Sequence, residues 1–196
     1  QQLEDVSKGE SGYQLSFKDG STLDAGAVLA AVGSSLDLDW LEDSGLHLDN
    51  GIVVDHGLQA ASGVAAIGDV ARFPLKNAAG EELIRVEHWE VAVNHAAQLA
   101  QNWMGGDGAT SAMVPYFWSD QYGKKIQQIG HPHPTDDVVR VSGSPEEGKW
   151  LALFSRQGAV TGAVALSNPR GLALSRGLLE SPTTLDEAMA SSPWSS

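Results

Sequence analysis

The run Val64-Ala65-Ala66-Ile67 passes without a break into Gly68-Asp69-Val70-Ala71, and this junction narrows the fold more than any other stretch of the sequence. Four consecutive apolar residues between glycines read as a strand buried on both faces, the pattern of a parallel sheet covered by helices. A carboxylate directly after such a strand stands at the carboxyl edge of the sheet, where α/β sheets bind ligands, so Asp69 is placed to accept hydrogen bonds from sugar-like hydroxyls. An Asp that only caps the next turn fits the segment equally well.

The flanking segments extend the pattern. Tyr13, Leu15 and Phe17 alternate with polar residues ahead of Asp19-Gly20 and Thr22-Leu23, which predicts a hairpin. Ala27 to Val32 is apolar on both faces and is expected to form a strand of a covered parallel sheet, with a buried helical turn as the alternative for so short a run. Asp39-Trp40-Leu41-Glu42 has capping-box spacing with Gly45 as terminator, and Ile52 to Val54 reads as a strand after Asn50-Gly51. Beyond Leu83 to Val86, a further strand, the spacing of Trp89, Ala92, Val93, Ala96, Leu99, Ala100 and Trp103 is that of an amphipathic helix of about four turns.

A linker rich in Gly, Asp, Ala, Thr and Ser sets a boundary near residue 112. After it, Lys125 to Ile129, Val138 to Val141, Trp150 to Phe154 and Ala159 to Leu166 are strands of a small antiparallel sheet. Asn168-Pro169 opens a helix running through Leu179, because an Asn cap with Pro at the first helical position suits an N-terminus. Thr184-Leu185-Asp186-Glu187 is a capping box for a brief final helix.

Several function classes fall away. A formal charge of −13 over 196 residues disfavours nucleic acid and anionic membranes as partners. The apolar runs fall far short of the roughly 20 residues of a membrane span, and the sequence contains no Cys, which suits a reducing cytoplasm and leaves redox chemistry to a cofactor. The opening Gln-Gln-Leu-Glu-Asp has no basic start or apolar stretch of a signal peptide, and an upstream segment is expected to have been removed. Neither a G-x-S-x-G elbow nor an H-E-x-x-H pair occurs, which argues against a stand-alone hydrolase. His131-Pro132-His133-Pro134 lacks the further ligands of a closed metal site, so no metal is expected.

Two further segments could carry chemistry. Arg85-Val86-Glu87-His88-Trp89 leads into the long helix, whose positive end favours negative charge by about 0.3 to 1 kcal/mol. Tyr116-Phe117-Trp118, with Tyr122 four residues on, is an aromatic cluster that in isolation reads as core.

Together AAIGDVARFP, IRVEHWEVAVNHA and VPYFWSDQY, in this order, resemble the oxygenase-coupled ferredoxin reductases, flavoproteins of the pyridine nucleotide-disulfide oxidoreductase type, with apoptosis-inducing factors as more distant relatives. DSGLHLDNGIVVD and ALSNPRGLALSRGLL carry the same pattern, so the resemblance runs over nearly the whole chain. It implies the α/β remnant of a flavoprotein with two dinucleotide-binding domains, followed by an α+β C-terminal domain with an antiparallel sheet and flanking helices. Residues 1–33 would end the NAD(P)-binding domain, 34–112 would be the returning part of the FAD-binding domain, and 113–196 the C-terminal domain. The implied cofactors are FAD and NADH or NADPH, and the implied partner is a ferredoxin-type iron–sulfur protein.

By resemblance Asp69 would bind the ribityl chain of FAD. Glu87, His88 and Trp89 would line the pyrimidine edge of the flavin, and Trp118 would pack near where nicotinamide stacks. No acid, base or nucleophile is implied, because the cofactor carries the redox chemistry. The sequence holds no G-x-G-x-x-G, whereas the family uses one such loop for each dinucleotide, so the chain is expected to be inactive alone. The competing reading is a non-catalytic module for homodimer formation or partner binding. Arg72, Lys76, Lys124 and Lys125 are candidates for a basic patch that docks an acidic electron-transfer partner.

Overall fold

The computed structural model describes residues 1–77, 79–105 and 113–195. They fall into two compact units, Gln1–Ser35 and Leu36–Ser196.

The first unit is a three-stranded antiparallel sheet of β1 (Leu3–Lys8), β2 (Tyr13–Phe17) and β3 (Thr22–Ala25), with β2 in the centre. Strands β2 and β3 form the hairpin expected from Asp19-Gly20, and Asp19 Oδ1 accepts hydrogen bonds from the amide and hydroxyl of Ser21. Here the structure corrects one expectation. Residues 27–32 form no strand, and Leu29 and Val32 are 92% and 93% exposed. A covered strand requires neighbours for its backbone and both faces, and no described segment pairs with this run.

The second unit begins with a 3-10 helix, Asp39–Ser44. Its N-cap is Leu38, which makes no side-chain cap, so the capping box read at Asp39 does not form. Strands β4 (Ile52–Val53), β7 (Ala71–Asn77) and β8 (Gly80–Arg85) make one sheet, in which β4 runs parallel to β7 and β8 is antiparallel to it. The run read as a buried parallel strand appears instead as β6 (Val64–Ala65), paired antiparallel with β5 (Gln59–Ala61). It reaches Asp69 through the 3-10 turn Gly68–Val70. Helix α1 (Trp89–Trp103) packs Val91 and His95 inward against a core that includes Leu58, Ala71, Phe73, Ile84 and Val86.

The five-stranded antiparallel sheet runs β11-β12-β13-β10-β9, formed by β9 (Tyr116–Gln121), β10 (Lys124–Gly130), β11 (Asp137–Ser144), β12 (Lys149–Arg156) and β13 (Ala159–Leu166). Leu151 and Leu153 of β12 lie opposite Ala165 and Ala163 of β13, large beside small, and share a core with Leu172, Leu178 and Ala188 of the covering helices. Burying each leucine contributes about 2 kcal/mol. Gly130 of β10 faces Gly162 of β13. A Cβ on Gly130 would overlap the Thr161 carbonyl oxygen, and one on Gly162 would stand 2.9 Å from the Ile129 carbonyl oxygen.

The helix expected from 168 to 179 is two helices, α2 (Pro169–Ser175) and α3 (Gly177–Glu180), which meet at Arg176. Asn168 caps α2 by accepting from the Gly171 amide. Helix α4 (Leu185–Ser191) starts with the expected capping box, in which Thr184 and Glu187 satisfy each other's backbone amides. Among the described residues no helix is long and apolar enough to cross a membrane.

Candidate functional site

The Gly68–Val70 turn, the start of α1 and strand β9 meet in the second unit. Arg85, at the end of β8, organises two of them. Its Nη1 donates to the Asp69 carbonyl oxygen at 3.1 Å and pairs with Glu87 Oε1, while its Nε donates to Asn50 Oδ1 at 3.3 Å. The Asp69 side chain is exposed, and no hydrogen bond among the described residues engages its carboxylate. A carboxylate held by its own backbone with both oxygens open suits a hydroxyl-bearing ligand.

His88 is the N-cap of α1 and caps nothing with its side chain, so the first-turn amides face outward unsatisfied by a side-chain cap. Burial depresses the His88 pKa and nearby His131 depresses it further, while Asp69 and a backbone hydrogen bond at Tyr116 oppose the shift; the net depression favours the neutral imidazole at neutral pH. Its ring lies 5.0 Å from the Phe117 ring, tilted by 31°. His88 Nδ1 and Glu90 Oε2 are buried without a hydrogen-bond partner among the described residues. Trp89 is 73% exposed at the helix start.

Trp118 is half-exposed and stacks on Tyr116 with centroids 5.6 Å apart. Tyr116 Oη accepts from Gln127 Nε2 at 2.8 Å, which fixes that pair. Since successive side chains on a strand alternate in direction, Phe117 is turned to His88 while Trp118 shares the face of Tyr116. The structure therefore brings Asp69, Glu87 and His88 toward Phe117 but sets Trp118 on the opposite face of the strand, with Tyr116. Phe117, Arg85 and His95 escaped assignment from the sequence. His95 did leave a signal, since Val91, His95 and Leu99 follow helical spacing and put an imidazole on an apolar face.

A polar network ties β8 to the C-terminal sheet. The buried Asp136 carboxylate accepts from Arg156 Nε at 2.7 Å, Thr161 Oγ1 at 2.6 Å and the His133 amide at 2.9 Å. Burial alone would raise its pKa, but these donors outweigh burial and hold it at about 2. Arg156 also reaches Glu82 of β8 at 3.5 Å, with His131 Nδ1 3.9 Å from the same carboxylate oxygen. The basic patch read from the sequence is partly neutralised, with Arg72 paired to Asp49 and Lys125 Nζ 3.8 Å from Asp120. Among the described residues no three His, Cys, Asp or Glu side chains gather as metal ligands.

This architecture is that of a flavoprotein reductase, with an antiparallel C-terminal sheet and flanking helices. Residues 1–96 match the pyridine nucleotide-disulphide oxidoreductase family and residues 116–195 match the reductase C-terminal domain, so the chain belongs to the pyridine nucleotide-disulphide oxidoreductases. Members of this family use FAD and NAD(P)H. Among solved structures, that of Fdr9 is 34% identical with a TM-score of 0.78, and the match covers 95% of this chain and 47% of that one. The ferredoxin reductase for the CYP199A2 system from Rhodopseudomonas palustris is 27% identical with a TM-score of 0.82, covering 97% and 47%. The covalent putidaredoxin reductase–putidaredoxin complex, 23% identical with a TM-score of 0.79 over 90% and 42%, shares the fold. The chain spans about half the length of the structures it matches.

Proposed function

We propose that this chain contributes the flavin-facing C-terminal portion of an NAD(P)H-dependent FAD oxidoreductase that passes electrons to a ferredoxin-type iron–sulfur protein. The observation that carries the reading is the convergence of an open Asp69 carboxylate and an uncapped start of α1, tied together by Arg85, with Phe117 of β9 against His88. In this reading residues 1–33 end the NAD(P)-binding domain, 34–112 complete the FAD-binding domain and 113–196 form the C-terminal domain. The likeness to a ferredoxin reductase at 27% identity supports the choice of electron acceptor.

When bound, flavin supplies acceptance of a hydride and release of single electrons. The chain's own residues bind and orient. Asp69 accepts hydrogen bonds from the ribityl hydroxyls, and the first amides of α1 with Glu87, His88 and Trp89 face the pyrimidine edge. Trp118 flanks the nicotinamide side. Neutral His88 adds no positive charge there, so the helix start supplies the electrostatic bias, about 0.3 to 1 kcal/mol in favour of negative charge.

The test is an FAD titration of the chain, followed by tryptophan quenching and by visible absorbance after desalting. Wild type is expected to bind FAD weakly, through the flavin end alone, and to show no NADH turnover, since this sequence has no Gly-rich loop for either dinucleotide. Asp69→Ala is expected to bind about tenfold more weakly, the loss of roughly 1.4 kcal/mol. Equal binding by Asp69→Ala would remove Asp69 from the site, and no binding by wild type would overturn a flavin site built from these residues alone.

A further inference from the structure

The turn that carries Asp69 is seated on the side of α1 through one buried histidine. His95 has no solvent exposure, and its Nδ1 accepts a hydrogen bond from the Gly68 amide at 3.1 Å. The carbonyl of Gly68 in turn accepts from the Ala71 amide, so both backbone groups of Gly68 are engaged. Gly68 has φ +66°, in the left-handed region, and a Cβ there would stand 3.2 Å from the Cβ of Ala92. The turn thus rests on α1 at Ala92 and is bonded to it one turn later at His95. Past the turn, the His95 ring meets the Phe73 ring of β7 edge-on, with centroids 4.6 Å apart. One side chain therefore grips the chain on both sides of Asp69.

We propose that His95 is a positioning residue that sets the Gly68–Val70 turn, and with it the Asp69 carboxylate, in register with the start of α1. The inference rests on the flavin reading only in its consequence, since register between turn and helix is what a ligand spanning Asp69 and Glu87 would sense. The imidazole can hold the Gly68 amide only while Nδ1 carries no proton, which in the neutral ring puts the proton on Nε2. Nε2 has no hydrogen-bond partner among the described residues. Burial pushes the His95 pKa down to about 4, so the acceptor form prevails at neutral pH. The charged groups that line the adjoining cavity with His95 are Asp55, His56 and Lys76. Below that pH a protonated Nδ1 would face the Gly68 amide donor to donor, and the grip would be released.

The test uses the chain itself, comparing wild type with His95→Gln, whose side-chain oxygen can still accept, and with His95→Leu, which fills space without an acceptor. Nitrogen NMR of the wild-type ring at neutral pH should show Nδ1 unprotonated and Nε2 protonated. The Gly68 amide should resist hydrogen exchange and lose that protection as pH falls through about 4, while core amides of Leu151 and Val160 keep theirs. His95→Gln should keep protection with a flat pH profile, and His95→Leu should lose it at every pH. FAD affinity should fall by about tenfold in His95→Leu and be largely restored in His95→Gln. An Nδ1-protonated ring in wild type, or a protected Gly68 amide in His95→Leu, overturns the proposal, whether or not the Leu variant is too unstable for titration. Equal FAD binding by wild type and His95→Leu overturns the positioning role while leaving the flavin site standing. A chain that shows the expected Gly68 behaviour but binds no FAD removes a flavin site built from these residues alone and leaves His95 as the residue that sets the turn.

Discussion

Ala27–Val32 and Ala159–Leu166 look alike on paper, both runs of small and branched apolar residues ending near a turn. The first lies open, with Leu29 and Val32 almost wholly exposed, and the second is the central strand of a sheet with its first five residues buried. Their difference is one of neighbours. β13 has β12 on one side, β10 on the other, and helices α2 to α4 sharing its core. The earlier run follows β3 and pairs with nothing described. Apolar patterning states a demand for burial, and only flanking strands can meet it.

The sharpest way to break this comparison is truncation on each side. Leu153→Ala in β12 should cost about 3 kcal/mol, because its cavity is walled by packed strands and helices that cannot collapse, and denaturant unfolding followed by circular dichroism would measure it. The next effect concerns the polar clamp that joins β12 to β13 through Asp136. Its folded pKa lies below the ordinary 3.8, so its contribution, about 2 kcal/mol, is present above pH 3.8 and is lost as pH falls toward about 2. Acid titrations of stability should show that decline in wild type, and Asp136→Asn should flatten it.

Thr184→Ala should cost about 1 kcal/mol through loss of the α4 capping box, read as a lowered unfolding midpoint. The smallest effect belongs to the open run. Leu29→Ser should change the stability of the chain by no more than about 0.5 kcal/mol. A cost comparable to that of Leu153→Ala would mean that residues 27–32 are buried in solution, and the contrast would fail.

What was legible in the sequence follows the same division. The strands from 124 to 166 and helix α1 announced themselves through period and turn residues, because their partners lie nearby in the chain and local pattern agrees with burial. The break at Arg176 did not show, since the apolar spacing continues across it and only Gly177, a weak helix former, marks the place. The capping box at Asp39 failed because Leu38 takes the N-cap position in a tighter helix. For the site, the segments around Asp69 and His88 stood out by composition. Arg85, Phe117 and His95 act through contacts across elements, which residue order does not reveal. The direction of Phe117 was decided by strand register, and the role of His95 by a backbone amide 27 residues away.

The facing glycines at 130 and 162 have a consequence for how this sequence can vary. A side chain at either would run into backbone beside its partner, the Thr161 carbonyl oxygen for Gly130 and the Ile129 carbonyl oxygen for Gly162, so neither position can be relieved by changing its opposite number. Compensation, the usual escape for a crowded core, is closed here. In a saturation library the pair should read as two adjacent blanks in an otherwise permissive sheet, and lineages that diverge everywhere around them should still carry glycine at both.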